Sequence, residues 1–245
     1  MKKRIVLTLL AGIVFTGLLN AQNSIINISS NLRLIRISGH AFIHESFSHT
    51  ETWGRIGSNG MLLVENGKAF LFDTPMTDSV TRQLLTYIQD SMKLTITGFI
   101  TADWHGDSMG GLQAVKDKGI PSYASEMTRK IAKEKGLPVP DHGFTDSATI
   151  SFGSYHLVCR YFGPAHTMDH IVVWIPEEKI LFADCMVKET ASKDLGYTDD
   201  GDLKAYASTL QKVKAAFPLA KIVVPGHGKH GGMELIDHTI ALTKR

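Results

Sequence analysis

Apolar residues in this chain fall in short runs divided by turn-forming residues, and their spacing alternates between strand and helix periods. Residues 32–37, 61–64, 69–72 and 94–101 have the length and apolar content of strands. Residues 77–92 instead carry Val80, Leu84, Leu85 and Ile88 at helical spacing. The runs 61–64 and 69–72 flank Glu65-Asn66-Gly67-Lys68, and an Asn-Gly pair in that position predicts a hairpin. Between residues 46 and 60 the chain is polar, and its pattern assigns no element there.

The second half repeats the alternation. Residues 110–118 predict a helix, 120–124 a strand, and 126–135 a helix closed by Gly136. Strands follow at 148–152 and 155–162, then a hairpin of 171–174 and 180–182 around Pro176-Glu177-Glu178-Lys179. The last elements are a helix over 203–217, a strand over 221–224 and a helix over 233–243. Paired strands first, then strands alternating with helices in both halves, predict an α+β fold of two mixed sheets packed face to face with helices outside. A single doubly wound sheet is the alternative, disfavoured by the early hairpins.

The N-terminus stands apart. Lys2-Lys3-Arg4 precede an apolar stretch over residues 5–19, followed by Asn20-Ala21-Gln22. This has the form of a secretory signal peptide over residues 1–21, and the apolar stretch is shorter than the ~20 residues of a spanning helix. Cleavage near Ala21 would leave one catalytic domain over 22–245, periplasmic and without stable membrane association. It also removes three of the 26 basic residues and none of the 24 acidic ones, so the net charge of +2 becomes about −1. A near-neutral surface without basic blocks argues against nucleic acid as a partner. The expected form is a monomer.

Four segments that follow strand-like runs carry metal-binding residue types: Asp103-x-His105-x-Asp107, Pro164-Ala165-His166-Thr167, Asp184-Cys185 and Pro225-Gly226-His227. Loops at strand ends are where a rigid scaffold presents reactive groups. Nitrogen, sulfur and oxygen donors in this mixture suit zinc, and catalytic zinc sites leave a position open for water. Taken singly, any one of the eleven histidines is ordinary; the four segments together are not. The two cysteines, Cys159 and Cys185, could otherwise form one disulfide in an oxidising compartment.

These segments, with Asp73-Thr74-Pro75, Gly110-Gly111, Ile171-Val172-Val173-Trp174 and Cys185-Met186-Val187-Lys188, resemble the metallo-β-lactamase superfamily. More narrowly, they resemble its class B β-lactamases with a cysteine ligand, from about Trp53 to the C-terminus. The resemblance implies a four-layer αβ/βα sandwich and hydrolysis of the lactam amide of β-lactam antibiotics by zinc-activated hydroxide. It implies two zinc positions, one at Asp107, Cys185 and His227, the other at His105 and His166 with Asp103 where the family has its leading histidine. Cys185 is then a ligand rather than half of a disulfide, and Cys159 a strand residue. Two zincs are expected, or one if Asp103 does not support its position.

The resemblance also makes Asp107 the residue that orients the nucleophile and Lys188 the cation for the substrate carboxylate. It puts Trp53 in a flap over the substrate and Tyr197 where an asparagine often stands. His170 replaces a common asparagine and reads as a surface or supporting residue, and Asp184 as a support for its loop. Glyoxalase-type and lactone hydrolases of the superfamily usually carry a histidine at the position of Ser108 and a carboxylate at that of Cys185. Another zinc hydrolase of the fold, or a metal-binding homologue with weakened catalysis, are the alternatives.

Overall fold

The computed structural model describes residues 24–244; the expected signal peptide lies outside them. Among these residues, thirteen strands form two sheets. One has eight strands in the order β1 (Ile25–Ser29), β2 (Leu32–Arg36), β3 (Ala41–Thr50), β4 (Gly54–Glu65), β5 (Lys68–Phe72), β6 (Thr95–Ile100), β7 (Ser122–Ser125) and β8 (His142–Phe144). The other has five, in the order β13 (Ile222–Pro225), β12 (Ile180–Asp184), β11 (Ile171–Ile175), β10 (Tyr155–Tyr161) and β9 (Ser147–Phe152). Hairpins pair antiparallel, whereas β5 to β8 and the β12–β13 pair run parallel across helical connections.

Alternation along the strands explains the four layers. In β5, Phe70 and Phe72 face the opposite sheet while Ala69 and Leu71 face helices; in β12, Ile180 and Phe182 divide from Leu181 and Ala183 in the same way. Both faces are therefore buried, and such strands read as continuous apolar runs. The helices α1 (Asp78–Thr86), α3 (Leu112–Asp117) and α4 (Glu126–Glu134) cover the larger sheet. On the smaller sheet lie α5 (Leu203–Ala216) and α6 (Glu234–Leu242). The single doubly wound sheet is excluded by this topology. Among the described residues no helix is long and apolar enough to cross a membrane.

Two local departures from the sequence reading have physical causes. The polar stretch 46–60, where the pattern assigns no element, belongs to a long hairpin: β3 and β4 stay paired from Ala41↔Leu63 out to Thr50↔Gly54. Its outer half has little core to bury, and the ladder is helped by Arg55 stacked 4.0 Å over the Phe47 ring. The helix expected over 110–118 begins only at Leu112, as α3, and a separate short helix, α2 (Gly106–Met109), precedes it. At the break, a Cβ on Gly110 would run into the Met76 and Gly106 carbonyls, and one on Gly111 into the Thr81 hydroxyl. The hairpin turn is as expected, with Asn66 and Gly67 both at positive φ (48° and 74°).

Candidate metal centre

Strands β6, β10, β12 and β13 each end in a loop that delivers one part of the centre. After β6, Thr101 to His105 descend to α2, whose first turn holds Asp107. The loop is fixed from within: Thr101 Oγ1 donates to the Asp103 carbonyl (2.7 Å), and Asp103 Oδ1 accepts from the His105 N–H (2.9 Å). It is also tied to both sheets. Asp73 Oδ1 accepts from Ala102 N–H (2.7 Å), and Ile171 N–H donates to the Ala102 carbonyl (2.9 Å). The β13 loop is held by Asn59, whose amide donates to the Pro225 and Gly228 carbonyls, both at 2.9 Å. Gly226 lies so close to Cys185 that a Cβ there would collide with its sulfur.

The first donor set is Asp107, Cys185 and His227. His227 Nε2 stands 3.2 Å from Asp107 Oδ2 and 3.3 Å from Cys185 Sγ, and Sγ is 3.8 Å from that same oxygen. The other imidazole nitrogen, Nδ1, is engaged by the Gly57 carbonyl at 2.7 Å. That bond fixes the tautomer and leaves Nε2 to face the other two donors. Burial and the carboxylates Asp184 and Asp107 push the Cys185 thiol pKa far up, so in the metal-free chain it keeps its proton. Burial raises the Asp107 pKa, but His227 more than offsets this and holds it down.

The second set is Asp103, His105 and His166. His105 Nε2 pairs with Asp200 Oδ2 (3.0 Å), which leaves Nδ1 facing Asp103 Oδ2 at 3.8 Å. Burial and the Lys188 charge hold the pKa of His166 well below its usual value, so its imidazole is neutral, the form that binds metals. Asp103 is fully buried. Burial alone would raise its pKa; His170, His105 and His166 reverse that and keep the carboxylate ionised.

A third set lies beneath the second. His170 is buried, not at the surface, with Nδ1 3.2 Å from Asp103 Oδ2 and Nε2 3.8 Å from Asp184 Oδ2. Asp184 is buried too, and accepts from Ser108 Oγ at 3.3 Å. Burial and then the Asp103 charge raise its pKa to about 6. No disulfide joins the two cysteines: both are free, and Cys159 is fully buried in β10.

Above the donor sets opens a cleft of about 630 Å³ lined by Trp53, Met76, Trp104, Lys188, Tyr197 and His227, among others. Trp53 is 57% exposed at the tip of the β3–β4 hairpin, a rim residue rather than a core anchor. The Lys188 backbone N–H donates to Thr239 Oγ1 (2.8 Å), and among the described residues its ammonium forms no salt bridge. Tyr197 borders the cleft with its ring 5.7 Å from that of His105. Asp200 escaped the sequence reading. It sits 95 positions from His105 in an acidic stretch with no spacing signal, and its loop is fastened to the His166 loop by Met168 N–H to the Asp200 carbonyl (3.0 Å).

Fold and site together define a class: an αβ/βα sandwich with metal-binding loops gathered at one edge under an open cleft. The model of the metallo-beta-lactamase superfamily matches residues 53–227, and the chain belongs to that superfamily. It is 46% identical over 231 residues to a protein of Bacteroides fragilis named metallo-beta-lactamase type 2, covering 94% of this chain and 92% of that one. A protein of the same name from Pseudomonas aeruginosa is 32% identical and covers 85% of this chain and 83% of its own. Among solved structures, the metallo-beta-lactamase of Pontibacter korlensis superposes with a TM-score of 0.84 at 34% identity, covering 87% of this chain and 99% of that one.

Proposed function

We propose that the chain is an exported zinc-dependent β-lactamase that hydrolyses the lactam amide, and that it is of the cysteine-ligand kind. The convergence of Asp107, Cys185 and His227 at the floor of the cleft carries this reading. Sulfur, nitrogen and oxygen donors within 4 Å of one another are zinc chemistry. His105 and His166, with Asp103, are the donors of a second zinc. Both ring orientations fit: His227 and His105 each spend one nitrogen on a protein acceptor and turn the other toward the donor set. Zinc in such sites supplies Lewis acidity and brings the pKa of a coordinated water from 15.7 to about 7.

The chain's own residues supply orientation and recognition. Asp107, at the inner wall of the cleft, accepts a hydrogen bond from the attacking water and aims it at the lactam carbonyl. Lys188 offers an ammonium to the carboxylate that β-lactams carry, and its place near the cleft floor limits how the ring can sit. Trp53 covers the substrate from the hairpin tip and excludes bulk water. Tyr197 stands beside His105 and narrows the cleft there.

One observation favours a second reading. Asp103 Oδ2 is 3.2 Å from His170 but 3.8 Å from His105, so this carboxylate leans away from the His105–His166 position. The zinc at Asp107, Cys185 and His227 would then work alone. Metal content measured against activity separates the two, since full activity with one tightly held zinc rules out the two-zinc form.

The test of function is a panel of penicillin, cephalosporin, carbapenem, lactone and thioester substrates with zinc in excess. Ring opening of β-lactams, abolished by chelator and restored by zinc, is the expected result. Turnover confined to the lactone or thioester would assign a different hydrolase, and no β-lactam turnover at all would overturn the reading.

A further inference from the structure

Beneath the two donor sets, Asp103, His170 and Asp184 meet in the interior, each offering an atom within 4.8 Å of one from each of the others. Their side chains are 0%, 0% and 3% exposed. His170 Nε2–H donates to the Ala183 carbonyl at 3.2 Å. Nδ1 faces Asp103 Oδ2 at 3.2 Å, and neither buried atom has an aligned hydrogen-bond partner. The oxygen therefore lies off the ring N–H axis. Two buried polar atoms left unpartnered at this spacing are costly in a low-dielectric interior, and a bound cation would satisfy both. Two ligands on one tetrahedral zinc, each bound at about 2.0–2.1 Å, stand roughly 3.3 Å apart, close to the spacing seen here.

Charge points the same way. Asp103 pairs with His105 and His170, and Asp184 with His170; their salt-bridge partners are histidines. Buried carboxylates left short of positive charge are costly, and a divalent ion meets the deficit where one imidazole does not.

We propose that Asp103, His170 and Asp184 form a buried cation site of their own, taking a zinc-like divalent transition-metal ion. It shares Asp103 with the His105–His166 position, while His170 and Asp184 belong to neither of the other sets. Its role is structural. Asp103 follows β6 of the larger sheet, and His170 and Asp184 flank β11 and β12 of the smaller, so one ion joins both sheets under the cleft. The inference rests on these side chains and not on the substrate.

Crystals of the mature protein grown with stoichiometric zinc, measured across the zinc absorption edge, test it directly. An anomalous peak is expected within about 2.2 Å of Asp103, His170 and Asp184. Peaks confined to the other two sets would overturn the proposal. In solution, H170N and D184N are each expected to lose one equivalent of zinc in equilibrium dialysis while keeping the Cys185 thiolate-to-cobalt absorption after cobalt substitution. A zinc count unchanged in both variants would also overturn it. None of these readouts depends on turnover, so they stand or fall separately from the β-lactamase reading.

Discussion

Asp103 occupies an unusual place among the metal-binding side chains because two sets of partners compete for it. One oxygen is engaged by its own loop, through the His105 N–H, and the other is nearer His170 than His105. A carboxylate also cancels part of the charge that a cation would exert on bound water, so the His105–His166 position should be both weaker and less acidifying than one with three neutral imidazoles. Asp103→His should therefore raise zinc affinity at that position by roughly tenfold, about 1.4 kcal/mol. Competition with a chromophoric chelator reads this directly, and an unchanged affinity would mean that residue 103 does not face that position.

The β3–β4 hairpin is the element on which substrate retention depends. It runs beyond the sheet's core, held by its ladder and by Arg55 over Phe47, and carries Trp53 at its exposed tip. An aromatic ring there contributes apolar contact to bound substrate, and equally to its transition state. Trp53→Ala should then raise KM by about fivefold, for a contact of about 1 kcal/mol, with kcat nearly unchanged. Steady-state kinetics on one penicillin and one carbapenem would check it; a fall in kcat with KM intact would assign Trp53 to the chemistry instead.

Across the molecule, stability toward acid is set partly by a group outside the donor sets. His44 lies on β3 with its Nε2–H donated to the Phe72 and Asp73 carbonyls at 3.1 and 3.2 Å. Burial brings its pKa from 6.5 down to about 4. The folded state thus resists a proton that the unfolded chain accepts. The stability is complete above pH 6.5 and is lost as pH falls toward 4, by about 3 kcal/mol. His44→Gln keeps a donor for the carbonyls but cannot titrate, so urea unfolding at pH 7 and pH 4.5 should show a smaller loss in the variant. An identical loss would place the acid sensitivity elsewhere.

Much of this was legible in the order of residues. Apolar runs with both faces buried marked the strands, the Asn66-Gly67 pair marked a hairpin, and four strand-end loops carried the donor residues later found converging. These are local signals, set by backbone propensity, burial period and ligand chemistry. The hairpin over 46–60 was missed because cross-strand pairing and a ring stacked under Arg55 hold it, not an apolar pattern. Asp200 on His105, and His170 between Asp103 and Asp184, were beyond reach for a similar reason. Each is a polar contact between loops distant in sequence, and only the packing of two sheets decides which buried charges become neighbours.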